Sequence, residues 1–363
     1  MLKFRYLSPF FILLAVFSTL ISSCHEVPDY KDDPVGNFDA LADIVGQRYC
    51  YFEEKGIDWK AVVAKHRERV TSETPQLELF EIMSDLLDEL KDGHVNLSSR
   101  FSTSYYRKWW SDYPQNFNLR TLQQYYLDFD YMQVSGMSYK MLPDSIGYIY
   151  CPSFSSQISE TSLDYVFAVL YGVEKAKGMI IDIRNNGGGL LTNINTFVGR
   201  FIDEEIPGGY IRHKTGPGAT DFSKPYPITY KPASDDHILY IGPIIVLTNR
   251  SCYSAANNFV AVMKSLSNVR ICGSTTGGGG GLPFTSEIPN GWAVRFSSCP
   301  ITDPEDQATE FGIEPSKGYE VDCTDEELAQ GKDAILDFAI EVYRRAFEEA
   351  EKNKAPKCML PEL

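Results

Sequence analysis

The segment 247–256 places a serine where a strand pattern changes into a helix pattern. An apolar run precedes it, and Ser254 stands at the start of the helical pattern. Backbone N–H groups and the positive end of the helix dipole stabilise negative charge at such a corner. Acyl transfer needs an exposed nucleophile beside donors for an oxyanion, so Ser254 is the first candidate. A serine here can instead cap a backbone N–H, Ser251 competes for both roles, and Cys252 competes as a thiolate.

The segment 185–189, Asn-Asn-Gly-Gly-Gly, follows a second apolar run. Glycines after a buried strand allow positive φ and bring bare backbone N–H groups to a ligand, which suits an oxyanion hole. A phosphate cradle is disfavoured, because no Gly-Lys-Ser/Thr follows and no GxGxxG pattern fits. A tight turn between strand and helix remains the structural alternative.

A base and an acid for such a nucleophile are also present. His94 follows Asp92-Gly93 at a helix-to-strand turn, and the ordinary pKa of histidine suits a general base. Glu310 could orient a catalytic element through a hydrogen bond. The alternatives are a structural histidine and a solvated loop acid.

The totals of the 363-residue chain exclude some functions. With 34 basic and 49 acidic residues the net charge is −15, so nucleic-acid binding is not expected. The eight cysteines include no CxxC pair, which argues against a zinc or redox motif. No metal and no organic cofactor is predicted. The oligomeric state and the disulfide pairing do not follow from the sequence.

The N-terminus has the pattern of an export signal. A short basic region with Lys3 and Arg5 precedes the apolar run 10–21, which is short for a permanent membrane helix. The sequence 20–24, Leu-Ile-Ser-Ser-Cys, resembles a bacterial lipobox, in which Cys24 becomes the lipidated first residue. An ordinary cleaved signal peptide is the alternative.

The hydrophobic pattern then changes along the chain. Apolar residues at helical spacing are followed by an aromatic-rich stretch with room for one or two strands, and then by alternating strands and helices. Alternation predicts a mainly parallel sheet covered on both faces, with functional loops at the carboxyl ends of its strands. The five-glycine run 277–281 is expected to be flexible and to border a substrate channel. The predicted regions are a signal peptide (1–23), a tether (24–37), a helical module (38–97), an aromatic-rich connection (98–144), an α/β core (145–325) and a C-terminal helix from 326 to 351 with a tail to 363.

Taken in order, these segments resemble the C-terminal-processing and tricorn-like serine peptidases. The resemblance implies an α/β fold, with a crotonase-like (ClpP/crotonase type) core and an N-terminal helical module. It also implies roles for matching positions: the nucleophile Ser254, the base His94, the acidic network member Glu310, an oxyanion N–H from Ala255 and a second from Gly187 or Gly188.

The chain departs from these families at several places. The glycine-rich stretch 275–281 holds no lysine, which disfavours the Ser–Lys dyad of the processing branch, and the interval 97–146 is too short for a PDZ domain. Asn257 and Asn258 stand where relatives often carry Glu. Gly93 stands where the tricorn-like branch has a serine.

The resulting prediction is an exported serine endopeptidase with a Ser nucleophile and a His base. Its expected partners are peptide or unfolded protein substrates and the membrane, which holds its lipid anchor. The expected location is the bacterial cell envelope, facing the periplasm or on the outer-membrane surface. Because of the departures at Gly93 and Asn257, a catalytically inactive peptide- or ligand-binding lipoprotein on the same fold is the alternative.

Overall fold

The computed structural model describes residues 29–353 and residue 360. The predicted signal peptide and Cys24 lie outside the described residues. The N-terminal region forms three helices and a short strand: α1 Pro34–Arg48, α2 Trp59–Arg67, α3 Gln76–Asp88 and β1 Asn96–Ser98. Asp58 accepts a hydrogen bond from Ala61 N at the start of α2, as predicted. The apolar faces of the helices pack with the buried side chains Val294 and Phe296.

The aromatic-rich connection contains short helices and a hairpin. The helices are α4 Lys108–Ser111 and α5 Leu119–Thr121, which continues as a π-helical turn, Leu122–Tyr126. The hairpin is formed by β2 Met132–Val134 and β3 Met137–Leu142, and a 3₁₀ turn, Pro143–Ser145, follows it. Two strands are therefore present, the upper number that the sequence allowed.

A six-stranded sheet forms the centre of the α/β region. The strands that complete it are β4 Ile146–Tyr150, β5 Gly178–Asp182, β8 Ile244–Thr248 and β9 Val269–Gly273. The order is β2-β3-β4-β5-β8-β9, and the last four strands are parallel. The prediction of a mainly parallel sheet is confirmed, because these four strands are the apolar runs identified in the sequence.

Both faces of this sheet are buried. One face packs with α6 Glu160–Phe167 and its π-helical continuation Ala168–Val173, with α7 Leu191–Val198 and with α8 Ala255–Ser265. The opposite face packs with the C-terminal helix. Alternate strand residues separate the two cores: Ile181 and Val246 lie in the first, Ile180 and Ile245 in the second. Within the described residues, no helix is long and apolar enough to cross a membrane.

A second sheet, entirely antiparallel, was not predicted. Its further strands are β6 Ile206–Ile211, β7 Tyr226–Tyr230, β10 Gly281–Glu287 and β11 Ala293–Thr302. Strand β11 pairs with β1, β10 and β6, so it joins the helical module to the α/β region. The glycine run, which was expected to be flexible, is instead buried at residues 277–281, and Gly281 begins β10. Gly277 does line a cavity, as a residue that borders a channel would.

The prediction of a single C-terminal helix is also wrong, because the predicted helix is interrupted. It is divided into α9 Asp325–Ala329 and α10 Ala334–Lys352. Gly331 has φ +83°, which ends the first helix, and the Asp333 side chain accepts from Leu336 N to begin the second. Asp333 also accepts two hydrogen bonds at 2.8 Å from the fully buried Arg184, which binds Asp182 as well. This ion cluster holds α10 against the sheet.

Candidate active site

Ser254 lies at a strained corner between β8 and α8. Its backbone has φ 57° and ψ −120°, a conformation that non-glycine residues rarely adopt. Its N–H donates to Gly278 O at 2.9 Å. The side chain makes no capping hydrogen bond, which excludes the capping alternative, and its Oγ lies 2.9 Å from His94 Nε2. The hydroxyl therefore faces an imidazole and not the helix.

His94 is buried in the turn between α3 and β1. Its backbone N–H donates to the Asp92 carboxylate at 2.8 Å, and its ring packs against Tyr253 with 4.9 Å between centroids. Burial lowers the pKa of His94 to about 4. The charges of Arg295 and Lys55 also lower this pKa, whereas the charge of Asp92 raises it. The imidazole is consequently neutral at neutral pH and can accept a proton.

The glycine turn after β5 packs directly against the Ser254 corner. Asn186 O accepts from Tyr253 N at 3.1 Å, and a Cβ placed on Gly188 would lie 2.9 Å from Ser254 Cβ. The Gly188 N–H donates to Asn186 Oδ1 at 2.9 Å. Across the described part of the chain, the N–H groups of Gly187 and Ala255 have no hydrogen-bond partner. These two donors are therefore available to a ligand, whereas that of Gly188 is occupied.

Glu310 lies near the site but does not contact the imidazole. One carboxylate oxygen accepts from Lys55 Nζ at 2.7 Å, and the other accepts from Gly280 N at 3.1 Å. Both side chains of this ion pair are over nine-tenths buried. Burial and then the charge of Asp92 raise the pKa of Glu310 to about 8, against the opposing charge of Lys55. Glu310 therefore contacts Lys55 and Gly280 and not His94.

Two polar groups beside His94 were not assigned a role from the sequence. Ser297 on β11 is fully buried, and its Oγ lies 3.5 Å from His94 Nδ1. Asp92 also accepts from the hydroxyls of Tyr49 and Tyr253, at 3.1 and 3.3 Å. Asp92 precedes Gly93-His94 in the motif and could have been chosen from it. Ser297 carries no local signal, because only the unpredicted sheet brings it here.

The competing nucleophiles differ from Ser254 in burial and contacts. Cys252 is fully buried, its thiol donates to Ile183 O at 3.0 Å, and burial raises its pKa to about 12. A thiolate is therefore disfavoured at this position. The hydroxyl that meets His94 belongs to Ser254 and not to Ser251. Of the cysteines in the described residues, all are free, and all except Cys299 are buried.

Two departures from the related families, Gly93 and Asn257, have structural reasons. A Cβ on Gly93 would lie 2.4 Å from the indole Nε1 of Trp109, so the tryptophan occupies the space of a side chain there. Trp109 in turn stacks on Tyr253, with 4.0 Å between ring centroids. Asn257 donates to Thr309 O at 3.0 Å and accepts from Thr276 Oγ1 at 2.6 Å. It therefore connects helix α8 to the loops around it.

A cavity of about 690 Å³ adjoins the site. Its wall includes Gly93, which precedes His94, and Tyr253, which precedes Ser254. Trp109 and the Lys55–Glu310 pair also line it. Among residues 29–353 and 360, no group of three or more His, Cys, Asp and Glu side chains is placed to hold a metal ion. The site thus combines a hydroxyl, a neutral imidazole and two open N–H groups beside a cavity.

Comparison with known protein families identifies two regions of the sequence. Residues 145–317 match the profile of peptidase family S41, and residues 30–88 match that of the tricorn protease C1 domain. The carboxy-terminal processing protease CtpA of Bacillus subtilis (strain 168) is 29% identical over 170 residues, which are 46% of this chain and 33% of that protein. The match thus spans about a third of that relative.

Comparison with solved structures shows the same fold over most of the chain. A putative peptidase from Parabacteroides merdae ATCC 43184 is 44% identical with a TM-score of 0.80, covering 86% of this chain and 96% of that one. The tricorn protease shares the fold with a TM-score of 0.51 at 15% identity, covering 85% of this chain and 36% of that one. The α/β fold of the ClpP/crotonase type, with a helical N-terminal region, is thereby confirmed.

Proposed function

This chain belongs to peptidase family S41, and we propose that it is a serine endopeptidase in which Ser254 is the nucleophile and His94 the general base. The observation that carries the proposal is the 2.9 Å distance between Ser254 Oγ and His94 Nε2, with the hydroxyl free of any capping bond. The neutral state of the buried imidazole supports it, because only a neutral imidazole can accept the hydroxyl proton.

The reaction follows from these positions. Ser254 Oγ attacks the peptide carbonyl carbon while His94 Nε2 takes its proton, and the carbonyl oxygen becomes an oxyanion. The N–H groups of Ala255 and Gly187 bind that oxyanion, each contributing about 3 kcal/mol to transition-state stabilisation. His94 then protonates the leaving amine, and an acyl-enzyme ester on Ser254 remains. Water attacks the ester carbon while His94 takes its proton, and His94 returns that proton to Ser254 Oγ as the acid product leaves. Gly188 is the weaker alternative for the second donor, because Asn186 accepts its N–H. Glu310 acts on this network through Lys55.

The substrates are peptides or unfolded proteins. The test uses internally quenched peptide libraries with blocked termini, so that only internal cleavage produces a signal. Ser254→Ala should lower kcat/KM by roughly 10⁴- to 10⁶-fold. Ser251→Ala is the matched control, since it removes a neighbouring hydroxyl outside the Ser–His pair, and it should retain activity. Undiminished cleavage by folded Ser254→Ala would refute the proposal.

The second part of the proposal concerns location. The export signal and the lipobox-like sequence before Cys24 support an exported lipoprotein anchored in the bacterial cell envelope. Metabolic labelling of the full chain with a clickable fatty acid in a bacterial host tests this directly. The wild-type chain should incorporate the label and Cys24→Ser should not. Equal labelling of the wild-type and Cys24→Ser proteins would contradict the lipid anchor. So would an exported wild-type protein that carries no fatty-acid label.

A further inference from the structure

The proton on the His94 ring needs a defined partner for the base to work. Nε2 must keep its lone pair for the Ser254 hydroxyl, so the neutral imidazole must carry its proton on Nδ1. An Nδ1–H group that is buried requires an acceptor. The polar side-chain atom opposite Nδ1 is Ser297 Oγ, at 3.5 Å, and Ser297 is fully buried.

The Ser297 hydroxyl also has a partner for its own proton. A hydrogen bond from the Ser297 side chain is among the interactions that lower the pKa of Asp92, which is 1% exposed. A hydroxyl donates one proton and accepts through its lone pairs, and a carboxylate only accepts. Because a base at His94 keeps Nε2 free for Ser254, the arrangement that suits catalysis runs from His94 Nδ1–H to Ser297 Oγ and from the Ser297 hydroxyl to Asp92.

Asp92, unlike Glu310, contacts the His94 turn directly, because it accepts the His94 backbone N–H at 2.8 Å. Although burial raises the pKa of Asp92, the charges of Lys55 and His94 and the hydrogen bonds it accepts hold it below its usual value. Burial raises the pKa of Glu310, whose oxygens are engaged by Lys55 and Gly280. Asp92 is thus the anion that can stabilise an imidazolium through the intervening hydroxyl.

We propose that Ser297 and Asp92 are the positioning residues of His94, fixing the tautomer in which Nδ1 carries the proton. This inference rests on the proposed Ser254–His94 pair. The position before His94 cannot supply a hydroxyl, because Trp109 fills the space of a side chain at Gly93. The hydroxyl beside Nδ1 comes from strand β11 instead.

The experiment reads the tautomer directly. In purified protein with ¹⁵N-labelled histidine, two-bond ¹⁵N–¹H correlations identify which ring nitrogen of His94 is protonated, and His94→Gln assigns the signal. The wild-type protein should show the Nδ1–H form. Ser297→Ala should shift the ring toward the Nε2–H form and lower kcat about 10²-fold, with KM changed less than about twofold, since general acid–base catalysis contributes 10²–10⁴-fold.

Ser298→Ala is the matched control, because it removes the neighbouring hydroxyl on the same strand, and it should leave tautomer and kcat unchanged. Asp92→Asn is the second variant and should lower kcat with the fold intact. An Nε2–H tautomer in the wild-type protein, or an unchanged tautomer and kcat in Ser297→Ala, would overturn the inference. The spectrum reads the hydrogen-bond chain without substrate, so its result is separable from failure of the proposed function, which Ser254→Ala reports.

Discussion

At the scale of single residues, burial sets the chemistry of the Ser254–His94 pair. His94 is 5% exposed, so the charged form of its imidazole loses hydration that the surroundings replace only in part. Asp92 favours the charged form, whereas Arg295 and Lys55 oppose it. The result is a base that stays neutral well below its ordinary pKa.

The first prediction concerns the pH profile. Because the neutral imidazole is the active form and its pKa is lowered to about 4, kcat/KM should stay level from pH 7 to about 5. It should fall by half near pH 4 as His94 gains a proton. The profile is measured with a peptide that has no group titrating in this range, while circular dichroism confirms that the protein stays folded. A half-maximal point near 6.5 would contradict this role of burial.

The second prediction concerns Gly93. A side chain there meets the Trp109 indole, and overpacking in a well-packed site destabilises by about 1–3 kcal/mol. Gly93→Ser should therefore lower the free energy of unfolding by that amount and reduce activity by displacing the Trp109–Tyr253 stack from His94. The double variant Gly93→Ser with Trp109→Ala should recover part of the stability, as measured by urea denaturation. A Gly93→Ser protein as stable and active as wild type would contradict this prediction, because it would mean that Trp109 moves aside at almost no cost in free energy.

At the scale of elements, the site depends on where strands end. Ser254 and Gly187 follow parallel neighbours, β8 and β5, so their convergence was predictable from the order of apolar runs. His94 was predictable as a residue in a turn, but its approach to Ser254 was not. That approach depends on β1 pairing with β11, a contact between strands about 200 residues apart that no local pattern indicates.

The third prediction tests the ion cluster that attaches α10 to the sheet. Asp333→Ala removes one of two carboxylates from the buried Arg184 and the cap of α10. Breaking a buried pair costs about 3–5 kcal/mol, and loss of a cap costs about 1 kcal/mol. Urea denaturation should show a loss of at least about 3 kcal/mol, whereas Glu348→Ala, on the exposed side of the same helix, should show almost none. Equal stability of both variants would mean that the cluster contributes little.

The same cluster illustrates what the sequence left undetermined. The strand 178–183 and the C-terminal helical pattern were both predicted, and both exist with changed ends. Their connection was not, because Arg184 and Asp333 lie about 150 residues apart and each resembles an ordinary charged residue in the sequence. Buried charge pairs become recognisable only when the topology brings the partners together.

At the scale of the whole molecule, the active site lies where two cores meet. His94 belongs to the helical module that packs on the antiparallel sheet, and Ser254 belongs to the α/β region. Strand β11 contacts both, through its pairing with β1 and through Ser297. Catalysis should therefore require the module to be docked.

The fourth prediction tests this docking. Leu86 on α3 is fully buried in the module core, and Leu→Ala in a core costs about 2–5 kcal/mol. Leu86→Ala should lower the midpoint of thermal unfolding and the midpoint of heat inactivation by the same number of degrees, because His94 moves with the module. Leu77→Ala, on the exposed face of α3, is the matched control and should leave both unchanged. Full activity after the module has loosened would contradict the shared site.

The central claim is that His94 activates the Ser254 hydroxyl, and covalent labelling tests it most directly. The purified protein is treated with an alkyl fluorophosphonate, and the adduct is located by peptide mass spectrometry. The account predicts a single adduct on Ser254 that is lost in folded His94→Ala. Folded wild-type protein that stays unlabelled, as an inactive binding protein would, or a His94→Ala variant that is labelled at the wild-type rate, would contradict the account.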